Sequence, residues 1–307
     1  MLAAGLVVSR FVHMAAVLAL FGGSLFPLYA YAGEPSDRAT RLGAWFRPMQ
    51  IVLILTAIAS GMGWFTFTAA SMSGSLAGAA DPQVLAAVLE ETDFGPLWLG
   101  RLTVLLVLLV LLAAWRLPES RPWIGPSLAA LALASLAGTG HARVTEGWSG
   151  AIHLSADVLH LIAAGFWLGG LWPLGRTVVV SRRAHPAESA EIAGVLMRFS
   201  GLGYVAVAVL IASGLLNSWF LVGSVGRLTG TDYGRLLLAK IGLFGAMALL
   251  AVANRFWITP RLARASAQDA SAWLGRLRRH IISEQALGLI VVGIVSVLGT
   301  LQPAFES

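Results

Sequence analysis

The stretch ADVLHLIAAGFWLGGLWPL, residues 156–174, decides the fold class of this chain. Almost all of it is apolar, and as a helix rising about 1.5 Å per residue it would cross most of the roughly 30 Å hydrocarbon core of a bilayer. Its first turns nevertheless carry Asp157 and His160. A lipid-spanning helix turns ionisable groups toward protein or water, and such groups are usually functional. The stretch therefore predicts both a membrane helix and a polar site inside the membrane.

The rest of the chain shares this apolar character. Of its 307 residues, 57% are hydrophobic and 12% are charged, and the mean hydropathy is +0.79. This composition exceeds that of soluble domains. We predict an all-α, polytopic membrane protein with eight transmembrane helices, because eight apolar runs reach or approach the roughly 20 residues that a span requires. The runs cover residues 4–31, 45–70, 96–115, 123–140, 152–174, 195–223, 234–258 and 281–301.

Positive charge is concentrated in alternate connections between these runs. Most of the 21 basic residues follow the first, third, fifth and seventh runs. Because cytoplasmic loops are enriched in Lys and Arg, these connections are expected in the cytoplasm and both termini in the periplasm. This distribution accounts for the net charge of +6 without a nucleic-acid partner. The lipid bilayer is the partner that the composition requires.

The two halves of the sequence resemble each other. VHMAAVLALFGG (12–23) aligns without gaps on LHLIAAGFWLGG (159–170), and IASGMGWF (58–65) on IASGLLNS (211–218). TDFGPLWLGRL (92–102) likewise matches TDYGRLLLAKI (231–241). The matches predict a first four-helix repeat over residues 1–145 and a second over residues 146–307. Because four is even, the repeats are expected to be parallel and related by an axis along the membrane normal, with a site at their interface.

Histidines supply the candidate metal ligands. His153, Asp157 and His160 are spaced i, i+4, i+7, which places them on one stripe of a helix. His13 aligns with His160 and reaches a similar depth, so we expect the two imidazoles near the central seam. Neutral imidazole binds copper, zinc, iron or nickel. We predict His13 and His160 as metal ligands, with His141 and His153 as further donors near the outer face.

The alignment also pairs Arg10 with Asp157. An unpaired charge at membrane depth is costly, so we expect an ion pair between these two residues, directly above the histidines. Alternatively, Asp157 accepts a hydrogen bond from an imidazole and fixes its tautomer.

Several chemistries have no support in the sequence. The chain has no cysteine, so it offers neither disulfides nor thiolate ligands. It contains no phosphate loop, nucleophile elbow or paired carboxylates, so we expect no enzyme. Met14 is the only methionine near the expected site. Because Cu(I) prefers soft sulfur ligands, a single thioether argues against a series of sites dedicated to Cu(I).

Several stretches fit the pattern of one family. They are DVLHLIAAGFWLGGLWPL, RFSGLGYVAVAVLIASGLLNSW and YGRLLLAKIGLFGAMALLAVANRFWITPRL, with RFVHMAAVLALFGGSLF upstream and GHA at 140–142. Together they resemble the CopD (PcoD) family of bacterial copper-resistance membrane proteins, with residues 146–307 as its core. The resemblance implies a multi-pass inner-membrane protein that moves copper from periplasm toward cytoplasm and works with the periplasmic copper carrier CopC, here a separate chain. By position it assigns the family's histidines to His13 and His160, with His141 and His153 as helpers.

Three functions remain open from the sequence. The first is a copper permease with an intramembrane histidine site. The second is an electron-transfer protein in which His13 and His160 are the axial ligands of haem b. The third is a copper receiver or assembly factor that binds the metal without transporting it.

Overall fold

The computed structural model describes residues 1–31, 36–114, 121–140, 147–181 and 187–305, and its regular elements there are all helices. Two 3-10 turns (Gly78–Ala80 and Ala137–Thr139) and one π-helical turn (Asn254–Ile258) interrupt the α-helices. The α-helices are α1 (Leu2–Ala30), α2 (Ser36–Ser73), α3 (Pro82–Glu90), α4 (Phe94–Ala113), α5 (Ile124–Ala134), α6 (Gly147–Ser181), α7 (Ala187–Val222), α8 (Val225–Gly230), α9 (Asp232–Ala253), α10 (Thr259–Ala263) and α11 (Ala267–Leu298).

In the described ranges, seven helical segments are long and apolar enough to cross a membrane. They are α1, most of α2, α4, α6, α7, α9 continued through α10, and α11. The prediction of eight membrane-length helices is therefore not confirmed. The apolar run at 123–140 forms the 11-residue α5 followed by the short 3-10 turn. That is below the roughly 20 residues of a standard span.

An arginine from α4 binds the end of α5. Arg101 Nε donates to Ser135 Oγ at 2.8 Å, and Arg101 Nη2 donates to the Ser135 carbonyl at 2.9 Å. A cation at a helix C-terminus satisfies carbonyls that have no partner within the helix. Further on, Gly138 packs against Leu97. The two contacts advance in opposite directions along the two segments, so α5 with its 3-10 turn runs antiparallel to α4 at this point.

The first helices of the two halves form the centre of the bundle. α1 contacts α2, α5, α6, α7 and α11, and α6 contacts α1, α5, α7 and α11. The helices pack in the same order in each half of the chain. In the first half, α2 packs on α4 and α4 on α5; in the second half, α7 packs on α9 and α9 on α11. The duplication, the limits of its repeats and the location of the termini stay predictions.

Two aligned glycines make the closest contact between α1 and α6. A Cβ atom on Gly22 would lie 2.1 Å from the carbonyl carbon of Gly169, so the backbones touch there. Further along both helices, the Tyr31 and Thr177 hydroxyls are hydrogen-bonded at 2.7 Å. Because these contacts advance in the same direction along both chains, α1 and α6 run parallel. Small residues permit this close approach of membrane helices.

Candidate functional site

A cavity of about 380 Å³ lies among α6, α7, α9 and α11 and is bordered by α1 and the 3-10 turn after α5. We call it the histidine cavity, because His153 and His160 line it together with Asp157. Most of its wall is apolar, which suits a site of small-molecule size with a few orienting polar groups. Its other polar lining residues are Arg10, Thr139, Asn217, Ser218, Tyr233 and Lys240.

His160 presents an imidazole suited to metal binding. Its Nδ1 lies 3.0 Å from Ser213 Oγ, whose own hydroxyl donates to the Val209 carbonyl at 2.5 Å. Since the serine proton is used there, Ser213 Oγ accepts from His160 Nδ1–H. The neutral imidazole then carries its lone pair on Nε2. A hydrogen bond that fixes the tautomer in this way is the usual support of a metal-ligating histidine.

Asp157 lies one turn from His160 and provides the carboxylate of the cavity. Its Oδ1 accepts a hydrogen bond from Asn217 Nδ2 at 3.2 Å, and Lys240 lines the same cavity. Lys240 and Arg10 are the two basic residues that line this cavity with Asp157. An oxygen ligand is available beside the imidazole.

The expected ion pair between Arg10 and Asp157 does not form among the described contacts. Both residues border the histidine cavity, but the Arg10 guanidinium lies over the Trp64 ring, 4.8 Å from its centroid. A cation–π contact on a buried indole stabilises the guanidinium without a carboxylate. The sequence alignment placed the two residues at equivalent positions, but it carried no information about this indole.

Of the two histidines predicted as further donors, His153 and His141, the structure describes only His153. His153 is 1% exposed, lines the cavity and stacks on Phe220 with ring centroids 4.7 Å apart. It therefore lies on the same wall as Asp157 and His160. His141 falls outside the described residues, so its predicted role as an outer donor stays a prediction.

His13 lies in a separate polar cluster of the first half. Its Nδ1 donates to the Ala57 carbonyl at 2.8 Å, and its Nε2 lies 3.5 Å from Arg101 Nη1. Because Arg101 can only donate, His13 Nε2 is the acceptor of this contact. His13 is not among the residues that line the histidine cavity. The structure therefore does not bring the imidazoles of His13 and His160 to one shared cavity.

The first half fills the space that the second half leaves open. Trp64 occupies the alignment position of Asn217, and its ring lies 5.7 Å from the His13 ring. The Arg101 guanidinium also approaches this indole, at 5.6 Å from the ring centroid. Arg101, the counterpart of Lys240, is itself only 2% exposed. An indole and two guanidinium groups thus occupy the surroundings of His13, whereas His160 faces a cavity.

Two methionines line the histidine cavity. Met14 was expected near the site, but Met247 on α9 was not recognised from the sequence. Met247 lies seven residues, or about two helical turns, after Lys240, so both side chains lie on the same face of α9. This spacing is the signal that could have revealed it. In the part of the chain that the structure describes, no three His, Asp or Glu side chains converge as a ready metal site. The donors of the cavity are therefore spread along its wall rather than gathered in one shell.

Two family profiles match the chain. Residues 1–151 match a profile described as "Copper resistance protein D-like, N-terminal domain", and residues 193–298 match one described as "Copper resistance protein D". No solved structure shows significant similarity to the chain.

Three curated proteins are similar over most of this chain. Copper resistance protein D of Pseudomonas syringae pv. tomato is 32% identical, over 97% of this chain and 96% of its own length. Inner membrane protein YebZ of Escherichia coli K12 is 33% identical, over 99% of this chain and all of its own length. Copper transport protein CutJ of Bacillus subtilis 168 is 29% identical, over 90% of this chain but 49% of its own length.

Proposed function

Because this chain belongs to the copper resistance protein D family, we propose that it is a permease that moves copper across the inner membrane from periplasm toward cytoplasm. It is a multi-pass membrane protein of a copper resistance and transport family. The observation that carries the proposal is the histidine cavity, where His160 and Asp157 offer a nitrogen and an oxygen donor inside the bundle. Ionisable groups inside the membrane are costly, so those that are present usually serve a function.

The ligands of this cavity form a series rather than a cage. His153, Asp157 and His160 follow one another on α6, with about 6 Å and then about 5 Å of helix rise between them. An ion bound by few ligands at a time can pass from one to the next, as permeation requires that binding be strong enough for entry and weak enough for exit. His153 would receive the ion, and His160 would hold it deepest in the cavity.

Sulfur donors in the cavity extend the oxidation states of copper that it could bind. Met14 and Met247 supply thioether sulfur beside the imidazole and the carboxylate. Thioether and imidazole together suit Cu(I), whereas imidazole and carboxylate suit Cu(II). The second methionine weakens the expectation, based on Met14 alone, that Cu(I) is disfavoured.

Delivery from outside involves a separate chain in this proposal. The His153 end of the cavity lies on the side that the arginine distribution assigns to the periplasm. A periplasmic copper carrier of the CopC type would release its ion there, with His141 in the adjoining connection as a further donor.

The haem alternative has less support. Bis-histidine ligation requires both imidazoles to face one apolar slot. His13 instead donates to Ala57 and contacts Arg101, and it does not line the cavity that His160 faces. The residues present therefore do not fit a haem held between these two histidines. The third candidate, a receiver that binds copper without transporting it, would use the same copper site as the permease. A measurement of copper flux across the membrane distinguishes the two functions.

Copper uptake into proteoliposomes tests the proposal. We expect saturable uptake by the unaltered protein and its loss in His160→Ala, because the deepest ligand is removed. His185→Ala is the matched control, since the sequence places this histidine in a connection between spans. Stoichiometric copper binding without any flux would instead identify a receiver, and a Soret band in the purified protein would identify a haem protein.

A further inference from the structure

A second cavity lies beyond Trp167. Trp167 lines the histidine cavity and also a smaller cavity of about 120 Å³, which Glu284, Asn254 and Arg255 border. We call this smaller space the Glu284 cavity. His160 and Trp167 are separated by about 10 Å of helix rise on α6. The Glu284 cavity therefore continues the same line toward the arginine-rich side of the bundle.

Glu284 is a buried carboxylate with a donor on each oxygen. Its side chain is 1% exposed; Asn254 Nδ2 donates to Oε1 at 2.7 Å, and Trp167 Nε1 donates to Oε2 at 3.4 Å. A carboxyl group accepts such hydrogen bonds in either protonation state, and both of these donors are neutral. An ionised carboxylate away from water requires a positive partner.

The neighbouring guanidinium is directed elsewhere. Arg255 Nη1 donates to Ser200 Oγ at 3.2 Å and contacts Met197 Sδ, both on α7. Among the described residues, no salt bridge joins Arg255 to Glu284. The hydrogen-bond donors of Glu284 are neutral, so a cation that enters the cavity and displaces the carboxyl proton meets no competing charge on these donors.

The backbone of α9 changes where it meets Glu284. Asn254 begins the π-helical turn Asn254–Ile258, a widened turn of the kind often found at functional sites. Its carbonyl accepts from Thr259 Oγ1 at 2.8 Å, and its Oδ1 accepts from His280 Nδ1 at 2.8 Å. With its proton on Nδ1, His280 carries its lone pair on Nε2. The Asn254 side chain thus links Glu284, which lines the cavity, to His280, which lies outside that lining one turn earlier on α11.

We propose that Glu284, Asn254 and His280 form a second copper-binding station, which the ion reaches after it leaves the histidine cavity past Trp167. This inference rests on the proposed function, since it extends the same path. The donors are a carboxylate, an amide oxygen and an imidazole, a set that suits Cu(II) better than Cu(I). From His153 to Trp167 on α6, and from Glu284 to His280 on α11, the two stations cover about 27 Å of helix rise, close to the roughly 30 Å of a hydrocarbon core.

Copper stoichiometry of the purified protein in detergent tests the second station. After equilibrium dialysis against Cu(II), we expect the unaltered chain to bind one ion more than either His160→Ala or Glu284→Gln. The double variant should bind neither ion. Glu284→Gln keeps the size of the side chain and an acceptor oxygen, so a purely structural role would leave the stoichiometry unchanged. Glu284→Asp, which keeps the carboxylate, should retain the ion.

The outcomes separate this inference from the proposed function. If Glu284→Gln binds as much copper as the unaltered chain, the second station is wrong whatever the flux measurements show. If His160→Ala keeps its full copper content, the histidine site fails, and the Glu284 variants still decide the second station. Should Glu284→Gln not fold, X-ray absorption of His160→Ala replaces it: we expect copper with oxygen and nitrogen neighbours, and an absence of bound copper in that variant overturns the inference.

Discussion

The contact between Gly22 and Gly169 offers a quantitative test of the seam between the two halves. A methyl group on Gly22 would lie 2.1 Å from the Gly169 carbonyl carbon and 2.5 Å from Gly170 N. These are backbone atoms, so no side-chain rotation relieves the clash and the two helices must separate. Overpacking of this kind costs about 1–3 kcal/mol. Gly22→Ala should therefore lower the free energy of unfolding by at least that amount.

A matched substitution removes the general effect of replacing glycine in a helix. Gly242 lies within α9, and nothing lies within 4 Å of the position that its Cβ would take. Gly242→Ala should stabilise the protein by about 0.5–1 kcal/mol, because alanine loses less backbone entropy. We expect the two variants to differ by about 1.5–4 kcal/mol in unfolding by SDS titration. Equal stability of Gly22→Ala and Gly242→Ala would refute the close parallel packing of α1 and α6.

Three further predictions concern single side chains. Asp157→Asn should weaken copper binding about 10- to 100-fold in a competition titration, since it removes the carboxylate of the cavity; an unchanged affinity would exclude Asp157 from the site. His13→Ala should destabilise the fold by about 1–3 kcal/mol, because Arg101 loses its acceptor, yet keep its full copper content in metal analysis; loss of copper by a folded variant would contradict this placement. Trp167→Phe should cost at least about 1 kcal/mol in SDS unfolding, because the indole loses its hydrogen bond to Glu284; the cost should fall by about that amount in a Glu284→Leu background, which has no acceptor, and an unchanged cost would contradict the contact.

Much of the fold follows from the sequence because lipid imposes a simple rule. Every backbone group in the hydrocarbon must be bonded within a helix, so apolar length alone predicts the spans. The rule fails at the run 123–140, where α5 ends at Ala134 and Arg101 of α4 donates hydrogen bonds to the next residue, Ser135. Hydropathy counts residues, and it contains no information about a side chain from another helix.

The candidate site was predictable in part for the same reason. The stripe His153, Asp157, His160 needs only helical periodicity, and the structure places all three on one cavity wall. The position of His13 needed knowledge of its neighbours: Trp64 and Arg101 fill the space around it. The setting of Glu284 could not be predicted, because the sequence does not show that Trp167 and Asn254 both donate to it.

The central claim is that copper is bound inside the bundle by the second half of the chain. Anomalous scattering at the copper edge, from a structure of the copper-loaded protein, tests it most directly. The account predicts an anomalous peak in the histidine cavity, within bonding distance of His160 Nε2. A peak bonded to His13, or copper found only at residues outside the membrane-spanning helices, would contradict it.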